Sequence, residues 1–174
     1  MFYTIEELVQ QADRDYQGNI AELMIATETE LSGRDRSEIL DLMTRNLEVM
    51  KDSVQTGLSP EKSPIKRGKT LADSAVLGAA RNAMAVNESN AKMGLVCATP
   101  TAGSAGCLPA VLTVAIEKLG LNESQQLDFL FTAGAFGLVI ANKASISGAE
   151  GGCQAEVGSA SAMAAAAITM AAGG

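Results

Sequence analysis

The sequence predicts an all-α fold, a helical bundle with a central Ala/Gly-rich buried helix and two glycine-rich loops. Three observations carry this. Apolar residues recur at helical spacing through most of the 174 residues. No series of alternating residues marks a sheet; "GLVCA" (94–98) and "GLVIA" (137–141) are the only strand candidates, and each reads equally as helix or loop. The run "AMAAAAITMAA" near the C-terminus is apolar or small on every side, as suits a helix in the middle of a bundle, where Ala and Gly let neighbouring backbones come close.

Taken in order, Thr4 with Glu7 forms a capping box for a short first helix. Gly18 interrupts before a second helix near 19–31, which stops at "SGRD". Ile39, Leu40, Met43, Leu47, Met50 and Val54 then draw one apolar stripe along a charged third helix. The stretch "GLSPEKSPIKRGKT" breaks the pattern with two prolines and two glycines. We read 1–174 as one helical domain with acidic amphipathic helices over 1–57, a loop over 58–70 and an apolar core over 71–174. Within that core the expected elements are a helix over about 71–86, a loop at "ATPTAGSAG", a helix over about 108–119, another from "NESQ" to about 143, and the last after "SGAEGG".

Composition narrows the function. The chain is 47% hydrophobic and 19% charged, which is globular rather than disordered. Most of its net charge of -7 lies in the first sixty residues, so a nucleic-acid or anionic-membrane surface is not expected. The basic cluster Lys62, Lys66, Arg67 and Lys69 reads as a solvated loop. "MFYTIEELVQ" lacks the basic start and apolar run of a signal peptide, and the most apolar stretches fall short of the roughly 20 residues of a membrane span, so the expected location is cytoplasmic. "RGKT" imitates the end of a phosphate-binding loop, but Ser63 stands where the first glycine belongs and no strand precedes it.

With no histidine, neither an imidazole-dependent triad nor a common zinc site can form. Chemistry is left to carboxylates, lysine, hydroxyls, thiolates or a metal. Three cysteines at irregular spacing argue against a disulfide framework. Two glycine-rich turns, each followed by a helix, hold the candidates. In "ATPTAGSAG", Thr99, Thr101 and Ser104 offer hydroxyls, and Gly103 and Gly106 expose backbone donors suited to a small carboxylate or phosphate; a capped, tight connection explains the same residues. In "SGAEGGCQ", Cys153 falls in the first turn of a helix, whose dipole favours the metal-binding thiolate, although Cys153 as a small apolar core residue fits equally. Lys143, Glu150 and Glu156 are the only charged side chains after residue 128, in a region expected to be buried.

"ATPTAGSAGCLPAVL", "NKASISGAEGGCQAEVGSASAMAA", "GKT" and "AMAVNESNAKMG" together resemble the catalytic alpha chain of the bacterial iron-sulfur-dependent L-serine dehydratases, from "MFYTIEELV" to the last residue. The resemblance implies a lyase (L-serine ammonia-lyase) that contains no pyridoxal phosphate and works with a beta chain, with a homo-oligomer open. A 4Fe-4S cluster on three cysteines would leave one iron open to polarise the hydroxyl of L-serine. Elimination of water would give aminoacrylate, which decays to pyruvate and ammonia. By position, Cys153 matches the first cluster cysteine. The other two lie, in the family, beyond the "MAAGG" on which this sequence ends, and Cys97 and Cys107 read as core. We therefore expect a truncated alpha chain that holds no cluster and is inactive by itself.

The remaining roles are read from the residues around the two turns, as groups that would hold the substrate or donate to cluster sulfurs. Thr99, Thr101, Ser104, Gly106, Ser145, Ser147, Gln154, Asn87 and Asn90 are candidates for holding the substrate, with Glu88 beside them in "NESN". Lys143 would be the proton-abstracting base if burial disfavoured its charge, with Glu150 and Glu156 as rivals. Glu156 reads more simply as half of a structural ion pair. The alternative to the lyase is a non-catalytic helical module for subunit assembly or small-molecule sensing.

Overall fold

The computed structural model describes residues 1–59 and 74–174, which form seven helices and no strand. The helices are α1 (Ile5–Tyr16), α2 (Ile20–Ser32), α3 (Arg36–Leu58), α4 (Ala75–Ala91), α5 (Cys107–Leu119), α6 (Glu123–Lys143) and α7 (Gly148–Ala171). The all-α reading holds. The interior of the 58–70 loop, with its basic cluster and "RGKT", and the expected start of the fourth helix lie outside the described residues. No helix among the described residues is long and apolar enough to cross a membrane.

Local chemistry sets most boundaries. Thr4 Oγ1 accepts from the Glu7 amide at 3.1 Å, while the Glu7 carboxylate accepts from the Thr4 amide at 3.2 Å, the capping box expected from sequence. Asp35 with Glu38 and Asn122 with Gln125 build the same reciprocal pair at the starts of α3 and α6. Gly33 and Gly120 end α2 and α5 at φ 69°, a left-handed turn that glycine adopts without steric cost. "GLVIA" lies inside α6, and "GLVCA" is irregular chain between α4 and the first glycine turn. The fourth helix runs past the expected residue 86 to Ala91, so "NESN" lies on it.

The centre of the bundle belongs to α6. It packs against α7, α2, α3, α1 and α5. Phe131, Ala135 and Val139 enter a core with Phe2, Leu8, Leu23 and Met24, while Phe129, Leu130 and Ala133 enter a second with Leu47, Leu108, Leu112 and Met163. The Ala/Gly-rich α7 was expected to be covered on every side; it packs on α6 and α5, burying Ser159, Ala160, Met163, Ala164 and Ala167, and leaves Ser161, Ala162, Ala165 and Thr169 exposed. Small side chains permit close approach where a neighbour exists. The broad Phe and Leu surfaces of α6 are what draw helices to it from several directions.

Two glycines set the close crossings. A Cβ on Gly57, in the last turn of α3, would stand 2.0 Å from the Ala85 carbonyl oxygen of α4. One on Gly137 of α6 would stand 2.9 Å from Met163 Cε of α7. The first is backbone against side chain position with nothing able to swing aside, and it fixes how α4 meets the rest of the molecule.

Candidate functional site

The first glycine turn is held from within. Ser104 is buried, and its Oγ donates to the Thr99 carbonyl at 3.1 Å and lies 3.1 Å from Thr101 Oγ1. The hydroxyls of Ser104 and Thr101 are thus occupied in shaping the loop, as a tight connection requires. Thr99 differs: it is 8% exposed, and its Oγ1 has no hydrogen-bond partner. A buried hydroxyl without a partner costs stability unless something completes it.

Helix α4 reaches this turn with the polar stretch that sequence singled out. Asn90 Nδ2 donates to the Ala102 carbonyl at 3.1 Å. Gly106 lets α4 come close, since a Cβ there would meet the Ala83 carbonyl oxygen at 2.7 Å and Asn87 Oδ1 at 3.1 Å. Between the two asparagines, Glu88 is buried and paired with Lys92 at 2.8 Å, a helical i,i+4 ion pair.

The second turn opens α7. Ser147 caps its first residues by accepting from the Ala149 amide at 3.2 Å, and Ser145 Oγ donates to Glu150 Oε2 at 2.7 Å. Gly152 then breaks the helical path with φ 72° and ψ 178°, a conformation almost restricted to glycine. Cys153 therefore begins the uninterrupted helix. Its side chain is exposed, as are Glu150 and Gln154, although the segment was expected to be buried. Lys143 ends α6 and is also exposed, so the burial that its role as a base required is absent.

The two turns meet at Glu156. One helical turn beyond Cys153, its side chain is half-buried and reaches back between them. A Cβ on Gly103 of the first turn would lie 2.9 Å from Glu156 Oε2, and one on Gly148 of the second would lie 2.7 Å from the same oxygen. The ion pair read for Glu156 from sequence is not formed: among the described residues its carboxylate has no cation within ion-pair distance and accepts no hydrogen bond. The i, i+3 spacing from Cys153 was the available signal that both residues share one helix face; the proximity of two glycines from separate turns is tertiary and left no local mark.

The other two thiols are half-buried. Cys97 is half-buried against the second hydrophobic cluster, and burial pushes its thiol above the usual range. Burial does the same to Cys107 at the start of α5, opposed by a hydrogen bond with Ser161. Among the described residues no three carboxylate, thiol or imidazole groups gather to hold a metal. A cavity of about 410 Å³ adjoins the turns at Pro100 and Ile146 and runs between α6 and the acidic helices, where Glu28, Arg34 and Asn46 line it. Sequence reasoning passed over those three, since each reads as an ordinary surface residue of α2, α3 or their connection.

The family model described as "Serine dehydratase alpha chain" matches residues 15–174. A Bacillus subtilis protein named "Probable L-serine dehydratase, alpha chain" is 48% identical over 188 residues, covering 100% of this chain and 62% of its own length. The "L-serine dehydratase, alpha chain" of Peptoniphilus asaccharolyticus is 45% identical over 107 residues, 62% of this chain and 37% of its own. The L-serine dehydratase of Streptomyces coelicolor is 37% identical over 190 residues, 99% of this chain and 41% of its own. The chain thus spans less than two thirds of the length of these relatives. With a match through both glycine turns and every helix from the end of α1 onward, the chain belongs to the serine dehydratase alpha chain family.

Proposed function

We propose that this chain carries the substrate-holding part of an L-serine dehydratase, which removes water from L-serine to give pyruvate and ammonia. The observation that carries the reading is the convergence of both glycine turns on one carboxylate, with an exposed cysteine one helical turn away. Asn90 braces the first turn through the Ala102 carbonyl, Asn87 lies against its Gly106, and the buried Thr99 hydroxyl of that turn has no partner among the described residues. Thr101, Ser104 and Gly106 shape that turn, while Ser145, Ser147 and Gln154 frame the second. Loss of the α proton and of the β hydroxyl as water leaves 2-aminoacrylate, which takes up water and releases ammonia as pyruvate forms. Glu150 is as exposed as Lys143 but is hydrogen-bonded to Ser145 inside the second turn, and on that ground we take it over Lys143 as the group that receives the proton.

The thiols present do not by themselves fit a 4Fe-4S cluster. Cys153 stands alone at its helix start, Cys97 packs half-buried against the second core, and Cys107 is half-buried at the start of α5, with no other carboxylate or thiol pair gathered beside them among the described residues. Two further thiolates must come from outside these 174 residues, so in our reading the chain alone is cluster-free and inactive, and a beta chain, the partner that the relatives' names imply, joins the working enzyme.

The test is anaerobic reconstitution of the full-length alpha chain and its beta chain with iron and sulfide, with and without Cys153→Ala. Pyruvate should form from L-serine in the unaltered enzyme, and the mutant should lose both activity and the visible absorbance of the cluster. Unchanged absorbance in the mutant would remove Cys153 from this role.

A further inference from the structure

Glu156, at the meeting of the turns, is a charged group that no described residue neutralises. From residue 129 onward Lys143 is the sole cation in the sequence, and it is exposed at the end of α6. A half-buried carboxylate with neither cation nor hydrogen-bond donor is costly to keep, because partial removal from water is not offset by a partner. Both neighbouring positions are glycine, and a methyl group on either would come within 3 Å of Oε2. The two missing side chains make room for the carboxylate itself, which packs against both glycines, so a small donor can reach it only on the faces those glycines leave uncovered.

We propose that Glu156 is the counter-ion for the α-ammonium group of the amino-acid substrate. This rests on the reading above that the substrate is L-serine. An ammonium group carries one positive charge and three N–H donors, which matches a carboxylate whose lone pairs no described residue claims. Seating the ammonium there puts the rest of a three-carbon amino acid between the first turn, with its unpartnered Thr99 hydroxyl, and the start of α7, where Cys153 lies. Glu156 thereby determines specificity: it selects an α-amino acid over the corresponding hydroxy acid.

The test compares L-serine with L-glycerate, which carries a hydroxyl in place of the ammonium, in the holoenzyme of full-length alpha and beta chains. Dissociation constants are measured for both, alongside KM for L-serine. Glu156→Gln keeps the shape and removes the charge; it should weaken L-serine by roughly 10- to 100-fold and change L-glycerate by less than about 2-fold. Gly148→Ala gives a second route. Its methyl meets only the mobile end of the Glu156 side chain, so the protein should fold while the carboxylate is displaced, and the preference for L-serine should fall. Equal weakening of both ligands, or no weakening, in these variants overturns the assignment and leaves Glu156 a structural residue. If the unaltered enzyme neither binds nor converts L-serine, the dehydratase reading falls, and this assignment with it; if it does both and Glu156→Gln keeps the preference, only the role of Glu156 is lost.

Discussion

Replacing Gly57 with alanine tests whether the α3–α4 crossing organises the site. The added Cβ would stand 2.0 Å from the Ala85 carbonyl oxygen, 2.5 Å from its carbon and 2.8 Å from its Cα. All three are backbone atoms of a helix, so no rotamer change relieves the contact. Reaching an ordinary separation of 3.4 Å requires the two helices to part by about 1.4 Å. Around that point Val54, Val86 and Ala105 form a small buried cluster that would open as the helices part. Overpacking of this kind costs about 3 kcal/mol, the upper part of its usual range, because the obstruction is main chain. For a domain of this size that corresponds to a fall of about 6–12 °C in Tm. Helix α4 also carries Asn87 and Asn90 to the first turn, so L-serine affinity of the assembled enzyme should fall in parallel. The control is Gly134→Ala in α6, where nothing lies within 4 Å and the helical gain of alanine should raise stability by up to about 1 kcal/mol. Thermal unfolding by circular dichroism reads both variants. A Gly57→Ala protein that melts within about 2 °C of the parent refutes the claim that main-chain contact sets this crossing.

Two further outcomes follow from electrostatics. Burial first, and then the neighbouring Glu22, push the Asp128 carboxyl above its usual range, while Arg36 pulls the other way. A raised carboxyl favours folding most when protonated, so its contribution is intact below the ordinary carboxylate range and is lost as pH rises through the shifted value. Asp128→Asn should therefore be more stable than the parent at neutral pH, with the gap closing under acid; denaturant titrations at several pH values read this, and a gap that widens under acid contradicts the assignment. In the cluster-free chain, iodoacetamide near neutral pH should modify exposed Cys153 first. Cys97 and Cys107, whose thiols burial has raised, should react only as pH climbs past the ordinary thiol range. Peptide mass spectrometry showing Cys97 modified as fast as Cys153 would contradict its place in the core.

What could be read from the sequence was mostly local. The capping box at Thr4 depends on residues three apart and stands in the structure, as does the helix start expected near "NESQ". The fourth helix was expected to end near 86, before "NESN", and instead runs to Ala91. The polarity of that stretch serves contacts outside the helix, with Asn90 on the first turn and Ser89 Oγ donating to the Ser53 carbonyl of α3 at 3.0 Å. Gly57 looked like the start of the breaker loop and instead lies within α3, where its missing side chain admits α4. The composition of α7 showed that neighbours could approach closely and was silent on how many would. For the site, the two turns and Cys153 were legible as glycine and hydroxyl clusters at helix starts. That Glu156 joins them was not, since the join depends on Gly103 and Gly148, forty-five residues apart, arriving on either side of one carboxylate.

Phe129 and Phe131 leave the same turn of α6 in different directions, one into each core. The acidic N-terminal helices and the glycine-rich C-terminal half consequently share a party wall. Neither half can melt first and leave the other standing, so the described parts of the chain should unfold as a single cooperative unit, and a protease that cuts within α6 should find no resistant half on either side.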